Sequence, residues 1–376
     1  MSRISSIQLF TLIVVFEVGS TTLFALGIGA KQDAWIVILA AALVGLGLLW
    51  IYTEIPKYYP NQNFAEILDD TLGKKLAAPL LFLFGLEFIN IASHNFYEFG
   101  VLIKMTALNQ TPIIVILYLF MAVLIYILNL GFEVLARTVE LLLPYFLIFL
   151  VTIYILTLFS GQFDFSALRP VLGNGIQPIL SELHTVIAFP FGEMVVFLMF
   201  WHYVNKPQLL RKTAFFAVGL GAVLLTISLI VMISVLGPEL AANSEIPLLE
   251  AILSINIGEI ITNLDSIAVF IMFIGGFYKT ALHFWGFSLA VTWMFNGKKP
   301  KWIMTIVGLL FPLFVLHRFP GLDYQRWKGL ELGIYSLLLY GFIPVLLLLI
   351  IFIKKKKIST SRKDNDNAIN SDDIKG

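Results

Sequence analysis

The sequence contains no cysteine. That absence removes disulfides, thiolate metal sites and thiol nucleophiles from consideration. Charge is nearly as scarce: only 13% of the 376 residues are Asp, Glu, Lys or Arg, against about 25% in an ordinary soluble domain. A formal net charge of +1 gives no basis for a nucleic-acid surface or an acidic partner. Also missing are the H-E-x-x-H, G-x-S-x-G, P-loop and dinucleotide signatures. Neither an enzymatic activity nor a cofactor is expected.

Apolar residues make up 59% of the chain. They fall in successive runs of roughly 20 residues, the length at which an α-helix crosses about 30 Å of hydrocarbon. The pattern predicts an all-α membrane protein with ten transmembrane helices, at 8 to 29, 34 to 56, 78 to 104, 112 to 130, 138 to 159, 182 to 204, 211 to 236, 262 to 295, 302 to 317 and 331 to 353. Arg3 and the small residues Ala25, Gly27, Gly29 and Ala30 flank the first run as they would in a cleaved leader, but Glu17 interrupts the run, which is therefore read as a membrane helix. The stretches NFAEILDDTLGKKLAAP, before span three, and IPLLEAILSINIGEI, before span eight, mix apolar and charged residues and are expected along the interfaces. Residues 1–353 form one membrane domain in this reading. Residues 354–376 are expected to be a disordered cytoplasmic tail behind a basic anchor.

Of the 25 Lys and Arg residues, 18 fall in segments on the side of the N-terminus and 6 on the other, with Lys279 inside span eight. The positive-inside rule then puts both termini in the cytoplasm. Ten spans divide into five plus five, and an odd number per half makes the second half enter from the opposite side. That is the inverted-repeat plan of many secondary transporters, and it predicts that spans one and six are the interrupted pair. Span one contains EVGSTTLF (Glu17 to Phe24) and span six AFPFGEM (Ala188 to Met194).

A helix broken in the membrane frees backbone N–H groups at one new end and C=O groups at the other, tolerated only beside protein or a water-filled cavity. A small ligand can use them, an anionic group at a half-helix N-terminus and a cation at freed carbonyls or acids. The candidate ligand-binding residues are therefore Gly19, Ser20, Thr21 and Thr22 in span one, and Phe189, Pro190, Gly192 and Glu193 in span six. Glu193 either receives an amine, carries a proton or bonds a neighbouring helix. In span three, Glu87, Asn90, His94 and Glu98 share one helical face about 16 Å long. They line a water or proton route, His94 and Glu98 sharing a proton, or else form a structural stripe. Glu17 and Lys279 belong with this possible polar path or gate.

Span eight carries Asp265, Lys279 and His283. Asp265 and Lys279 are about 21 Å apart along a helix and cannot pair, so Lys279 either snorkels or neutralises a carboxylate of another span. Glu133, Arg137 and Glu140 share a face near the edge of span five and suit local ion pairing.

The motif FPFGE (Phe189 to Glu193) followed by an apolar run, with GFEVLARTVELLLP (Gly131 to Pro144) in span five and the ten-span layout, resembles the spore-germination permease family. These are the B subunits of nutrient germinant receptors of endospore-forming bacteria, related to the amino acid-polyamine-organocation transporters. The resemblance implies a LeuT-like fold and a small-molecule germinant, such as an amino acid or sugar, held at Gly19 to Thr22 and Phe189 to Glu193. It also implies an A subunit and a C-subunit lipoprotein as partners in the inner spore membrane. A secondary transporter of amino acids or organic cations is the alternative. Two stretches depart from the family's pattern: LNQTP (Leu108 to Pro112) stands where Leu-Pro-x-Thr-Pro is usual, and NLD (Asn263 to Asp265) where Arg-Leu-Asp is.

Overall fold

Capping and apolar length set the first elements. Ser5 Oγ accepts from the Gln8 amide (3.1 Å) while Gln8 Oε1 accepts from that of Ser5 (2.9 Å), a reciprocal cap that starts α1, Ser6–Val18. Asn63 and Glu66 repeat the device at α3, Phe64–Leu72, a short helix that buries Phe64, Ile67 and Leu68. The computed structural model describes residues 3–254, 265–295 and 300–355. Its remaining helices are α2 (Ala34–Glu54), α4 (Lys74–Thr106), α5 (Ile113–Leu130), α6 (Phe132–Phe159), α7 (Gln177–Ala188), α8 (Pro207–Asn243), α9 (Pro247–Leu253), α10 (Asp265–Met294), α11 (Pro300–Arg318) and α12 (Leu322–Leu337).

Among the described residues there is no strand, and nine segments are long and apolar enough to cross a membrane. They include the last, Tyr335–Lys355, but not α10, so the ten spans expected from the sequence are not all met by that measure. α10 is nevertheless a 30-residue helix, and it packs along α4 through the bundle. Outward faces leave Leu43, Leu141 and Phe159 more than two-thirds exposed, a wall suited to lipid. The chain is a multi-pass membrane protein.

Both spans expected to break do so. α1 stops at Val18, and a single 3₁₀ turn follows at Thr21–Leu23 and two, kinked at Lys31, at Ile28–Asp33. Gly27, at φ 65°, takes the left-handed conformation that turns the chain between them. α7 stops at Ala188, and after Phe189–Pro190 the chain resumes as the 3₁₀ segment Phe191–Met199. Tyr52 Oη donates to the Gly192 carbonyl in the first turn of that segment (3.4 Å) and to that of Tyr340 (2.5 Å).

Both described ends of the chain lie at one end of the bundle. The Ile4 amide donates to Tyr203 O (2.8 Å) and the Asn205 amide to Ile4 O (3.0 Å), an isolated parallel bridge between Ile4 and Val204. Lys354 and Lys355 Nζ donate to Thr71 O (2.6 Å) and Tyr58 O (3.0 Å). At the opposite end, the segment after α6 folds back. Leu172 N donates to Asp33 Oδ1 (2.9 Å), and Asp164 N to Ser234 O (2.8 Å). Hydrogen bonds from the Ser166 hydroxyl and amide to Asp164 hold its carboxyl below the usual carboxylate range. α1 therefore enters from the end with the termini and α7 from the other, as an inverted repeat requires. The expected tail at 356–376, and Asn263 and Leu264 of the second departing motif, lie outside the described residues, as does the side chain of Asp265.

Candidate functional site

The two breaks meet at one ion pair. Lys279 Nζ of α10 lies 2.6 Å from Glu193 Oε2, with side chains 0% and 4% exposed. The ammonium also stands 4.0 Å from the centre of the Phe189 ring and 5.2 Å from that of Phe16, and donates to Thr21 Oγ1 at 3.4 Å. One cation thus ties α10 to both broken spans. One turn on, His283 Nδ1 sits 2.9 Å from Lys279 O, its ring against Phe16 and Phe88. Glu17 is wholly buried in α1, and neither carboxylate oxygen has a hydrogen-bond partner among the described residues.

A cavity of about 480 Å³ opens from this pair toward the end of the bundle away from the termini. Phe24 to Gly29 form one wall, Glu182, Thr185 and Phe189 of span six another, and Asn90, His94 and Glu98 of α4 a third. Gln325, Arg326 and Gly329 of α12 and Tyr340 of the last span complete it, and Glu193 is on its floor. The volume suits a small solute. Its walls are mainly apolar, and the few polar groups on them are under-bonded. Arg326 reaches Glu98 only at 3.5 Å and lies over the Phe24 ring (5.3 Å), while its Nε, Gln325 Oε1 and His94 Nε2 are buried without partners among the described residues.

Of the ligand-binding residues expected from the sequence, Phe189 and Glu193 line this cavity and the others do not. Gly19 lies against the Gly275 backbone of α10 too closely for any side chain on either. Thr22 Oγ1 bonds Ser228 Oγ (2.5 Å), which also meets Tyr154 Oη (2.6 Å). Ser20 Oγ is buried and unpartnered among the described residues. Pro190 is buried, and a side chain on Gly192 would meet Tyr340 Cδ2 at 2.6 Å. Substituting Gly192 with leucine therefore strikes Tyr340 rather than filling the cavity. Span one contributes its later residues, Phe24 to Gly29, because the glycine contact holds Gly19 and its neighbours against α10.

The span-three stripe faces α12 and the last span. Glu87 Oε1 accepts from Ser336 Oγ and Tyr340 Oη, both at 2.6 Å. Arg318 donates to Asn90 Oδ1 and to Ser93 Oγ (2.6 Å). His94 packs on Phe319 at 4.7 Å and Glu98 pairs with Arg326, so these two do not bond each other as a proton-sharing pair. Tyr340→Phe is expected to cost about 1.5–3 kcal/mol, the range for a hydrogen bond to a charged group, read as a lowered melting temperature in detergent. In span five Arg137 pairs with Glu133 (2.7 Å), but Glu140 turns away from both and accepts from Gln8 Nε2 of α1 (3.0 Å).

Sequence reasoning missed Glu182, Arg318, Gln325, Arg326, Ser336 and Tyr340. The three on 318 to 326 were read as loop residues beyond a span, where charge is unremarkable. The available signal was density: Asp323, Gln325, Arg326 and Lys328 crowd into one short connection that also bears Tyr324 and Trp327.

A helical membrane bundle whose two oppositely entering helices break beside a shared buried ion pair and a solute-sized cavity has the fold plan found in many secondary transporters. Solved structures agree on the fold. A structure described as Mhp1, a nucleobase-cation-symport-1 family transporter in a closed conformation, matches with TM-score 0.65 at 13% identity, covering 92% of this chain and 78% of that one. MhsT in complex with L-phenylalanine matches with TM-score 0.65 at 14% identity, covering 94% and 99%.

Within that class the chain belongs to the spore germination protein family, whose model matches residues 3–320. Spore germination protein KB of Bacillus subtilis (strain 168) is 36% identical over 309 residues, 82% of this chain and 83% of the relative. Spore germination protein YndE of the same organism is 26% identical over 323 residues, 85% and 87%. The family is not one of enzymes.

Proposed function

We propose that this chain is the integral membrane subunit of a spore nutrient germinant receptor, binding a small germinant, in particular an amino acid, in the cavity above Glu193 and Lys279. It acts in the inner spore membrane with both termini cytoplasmic, beside an A subunit and a C-subunit lipoprotein. The observation that carries this reading is a cavity of about 480 Å³ that ends on the ion pair joining both broken helices to α10. Its walls bear the under-bonded Arg326 guanidinium and the Glu182 carboxylate, which has no side-chain partner among the described residues. Opposite charges on separate walls suit the carboxylate and ammonium of a zwitterion. A ligand that prefers one arrangement of the breaks shifts the population toward it, and a partner subunit reads the shift.

Glu182→Gln should weaken amino acid binding about tenfold or more, the worth of a charge-assisted hydrogen bond, with unaltered thermal stability. Equilibrium binding to purified protein checks it, and unchanged affinity for every amino acid bound would remove Glu182 from the site. Glu193→Gln should weaken the response without preventing membrane insertion.

The transporter reading is favoured by the fold shared with Mhp1 and MhsT. Uptake of radiolabelled amino acids into proteoliposomes, with and without a proton gradient, separates the two. Concentrative uptake would replace the sensor with a transporter, whereas binding without flux supports the sensor.

A further inference from the structure

A second cavity, of about 810 Å³, lies at the end of the bundle that holds the termini. It is bounded by the end of α2 and the turn after it, the loop to α3, Trp201 to Val204, and the first turns of α8. No residue of α1, α4 or α10 lines it, so it does not open on the helix breaks. Tyr52, bonded to Gly192 O and Tyr340 O, stands on the same helix between this cavity and the broken span. The cavity is lateral to the solute site.

Its chemistry is one-signed. Lys57, Arg211 and Lys212 line it, and no acid does. Glu54, just behind the wall, accepts from Arg211 and from Lys57 (3.0 Å), and Arg211 Nε also donates to Thr53 Oγ1 (2.9 Å). Lys212 has no partner among the described residues, so two positive charges are left over. Of the acids of α3, Asp70 accepts from Gln62 Nε2 (2.8 Å) and Glu66 from the Asn63 amide (2.9 Å), and neither lines the cavity. Pro207 and Gln208, the start of the 37-residue α8, face the same space, and no side chain caps that helix end. The amide dipoles there favour an anion. Independently, Trp201 lines the cavity at 4% exposure, and its indole Nε1 has no hydrogen-bond partner among the described residues.

The surroundings say which anion. Phe216, one turn beyond Lys212, is 64% exposed, Leu209, two turns before it on α8, 38%, and Trp50, against Arg211, 45%, so apolar surface flanks the basic mouth. Arg211 lies over the Trp50 ring at 5.1 Å, bringing cation and membrane-facing aromatic together at that boundary. A soluble phosphate uses the cations but not the apolar surface. A phospholipid uses both.

We propose that this cavity is a binding site for the phosphate-bearing headgroup of an anionic phospholipid, with Lys57, Lys212 and Arg211 on the phosphate and an acyl chain along Phe216. The test is native mass spectrometry of the purified full-length chain, delipidated in detergent and titrated with phosphatidylglycerol, phosphatidylcholine or inorganic phosphate. Phosphatidylglycerol should be retained as a one-to-one adduct at least tenfold more tightly than phosphatidylcholine. The double variant Lys57→Gln/Lys212→Gln should lose about ten- to thirtyfold of that retention. Its melting temperature without lipid should match the parent, since both lysines are exposed; if it does not, the single variant Lys212→Gln, whose residue has no partner among the described residues, carries the test. Equal retention of the two lipids, or undiminished retention in the variants, would overturn the proposal. Inorganic phosphate that binds alone and displaces phosphatidylglycerol would overturn the lipid as its source.

Discussion

Replacing Lys279 with methionine is expected to remove most folded protein from the membrane. Methionine keeps the volume and loses the charge, so the variant isolates electrostatics from packing. It leaves Glu193, 4% exposed, without the ammonium now 2.6 Å away. Breaking a buried pair by removing one partner costs about 3–5 kcal/mol, a large part of a stability that for most proteins is about 5–15 kcal/mol. Removing both charges is far gentler, because no uncompensated ion remains. The double variant Lys279→Met/Glu193→Gln should therefore recover most of the folded yield that the single variant loses. On the proposed receptor role, it should not recover the germinant response, in which the pair takes part. Fluorescence-detected size-exclusion and melting temperature read the first, and a germination assay the second. A Lys279→Met protein as stable as the parent would mean that the pair contributes nothing to the fold.

The second large effect is steric. Gly275→Val should prevent α1 and α10 from meeting. A Cβ on Gly275 falls on Gly19 and the Ser20 nitrogen, and one on Gly19 falls on Gly275, so backbone faces backbone and no flexible side chain can yield. Overpacking ordinarily costs about 1–3 kcal/mol; a clash between two main chains belongs above that range. The loss should appear as aggregated or degraded protein on size-exclusion. Gly47→Val is the control, since nothing lies within 4 Å of its missing Cβ. If the two variants accumulate equally, the close crossing of α1 and α10 is wrong.

These two sites also mark how far sequence reading reached. The breaks were legible because proline and glycine act on their own helix: Pro190 removes a donor wherever its neighbours lie. The spans were legible because hydrocarbon thickness fixes their length. Pairing was not. Helical spacing shows that Glu87, Asn90, His94 and Glu98 share a face, but not that this face meets Arg318 and Arg326, more than 200 residues later. Lys279 had several carboxylates open to it, and only the packing of α10 against span six selects Glu193. Gly19 was ambiguous for a related reason. A glycine that bares its amide to a ligand and one that admits a neighbouring backbone are the same letter, and the deciding residue, Gly275, is on another helix. α12 was hidden by its own polarity, since charge between two apolar runs reads as solvent-facing loop even where it roofs a cavity.

The short bridge at Ile4 and Val204 has a mechanical meaning. It fastens the foot of α1 to the strip that ends the second broken span, through two main-chain bonds of 2.8 and 3.0 Å. Any tilt of one of these segments against the other has to strain or break those two bonds.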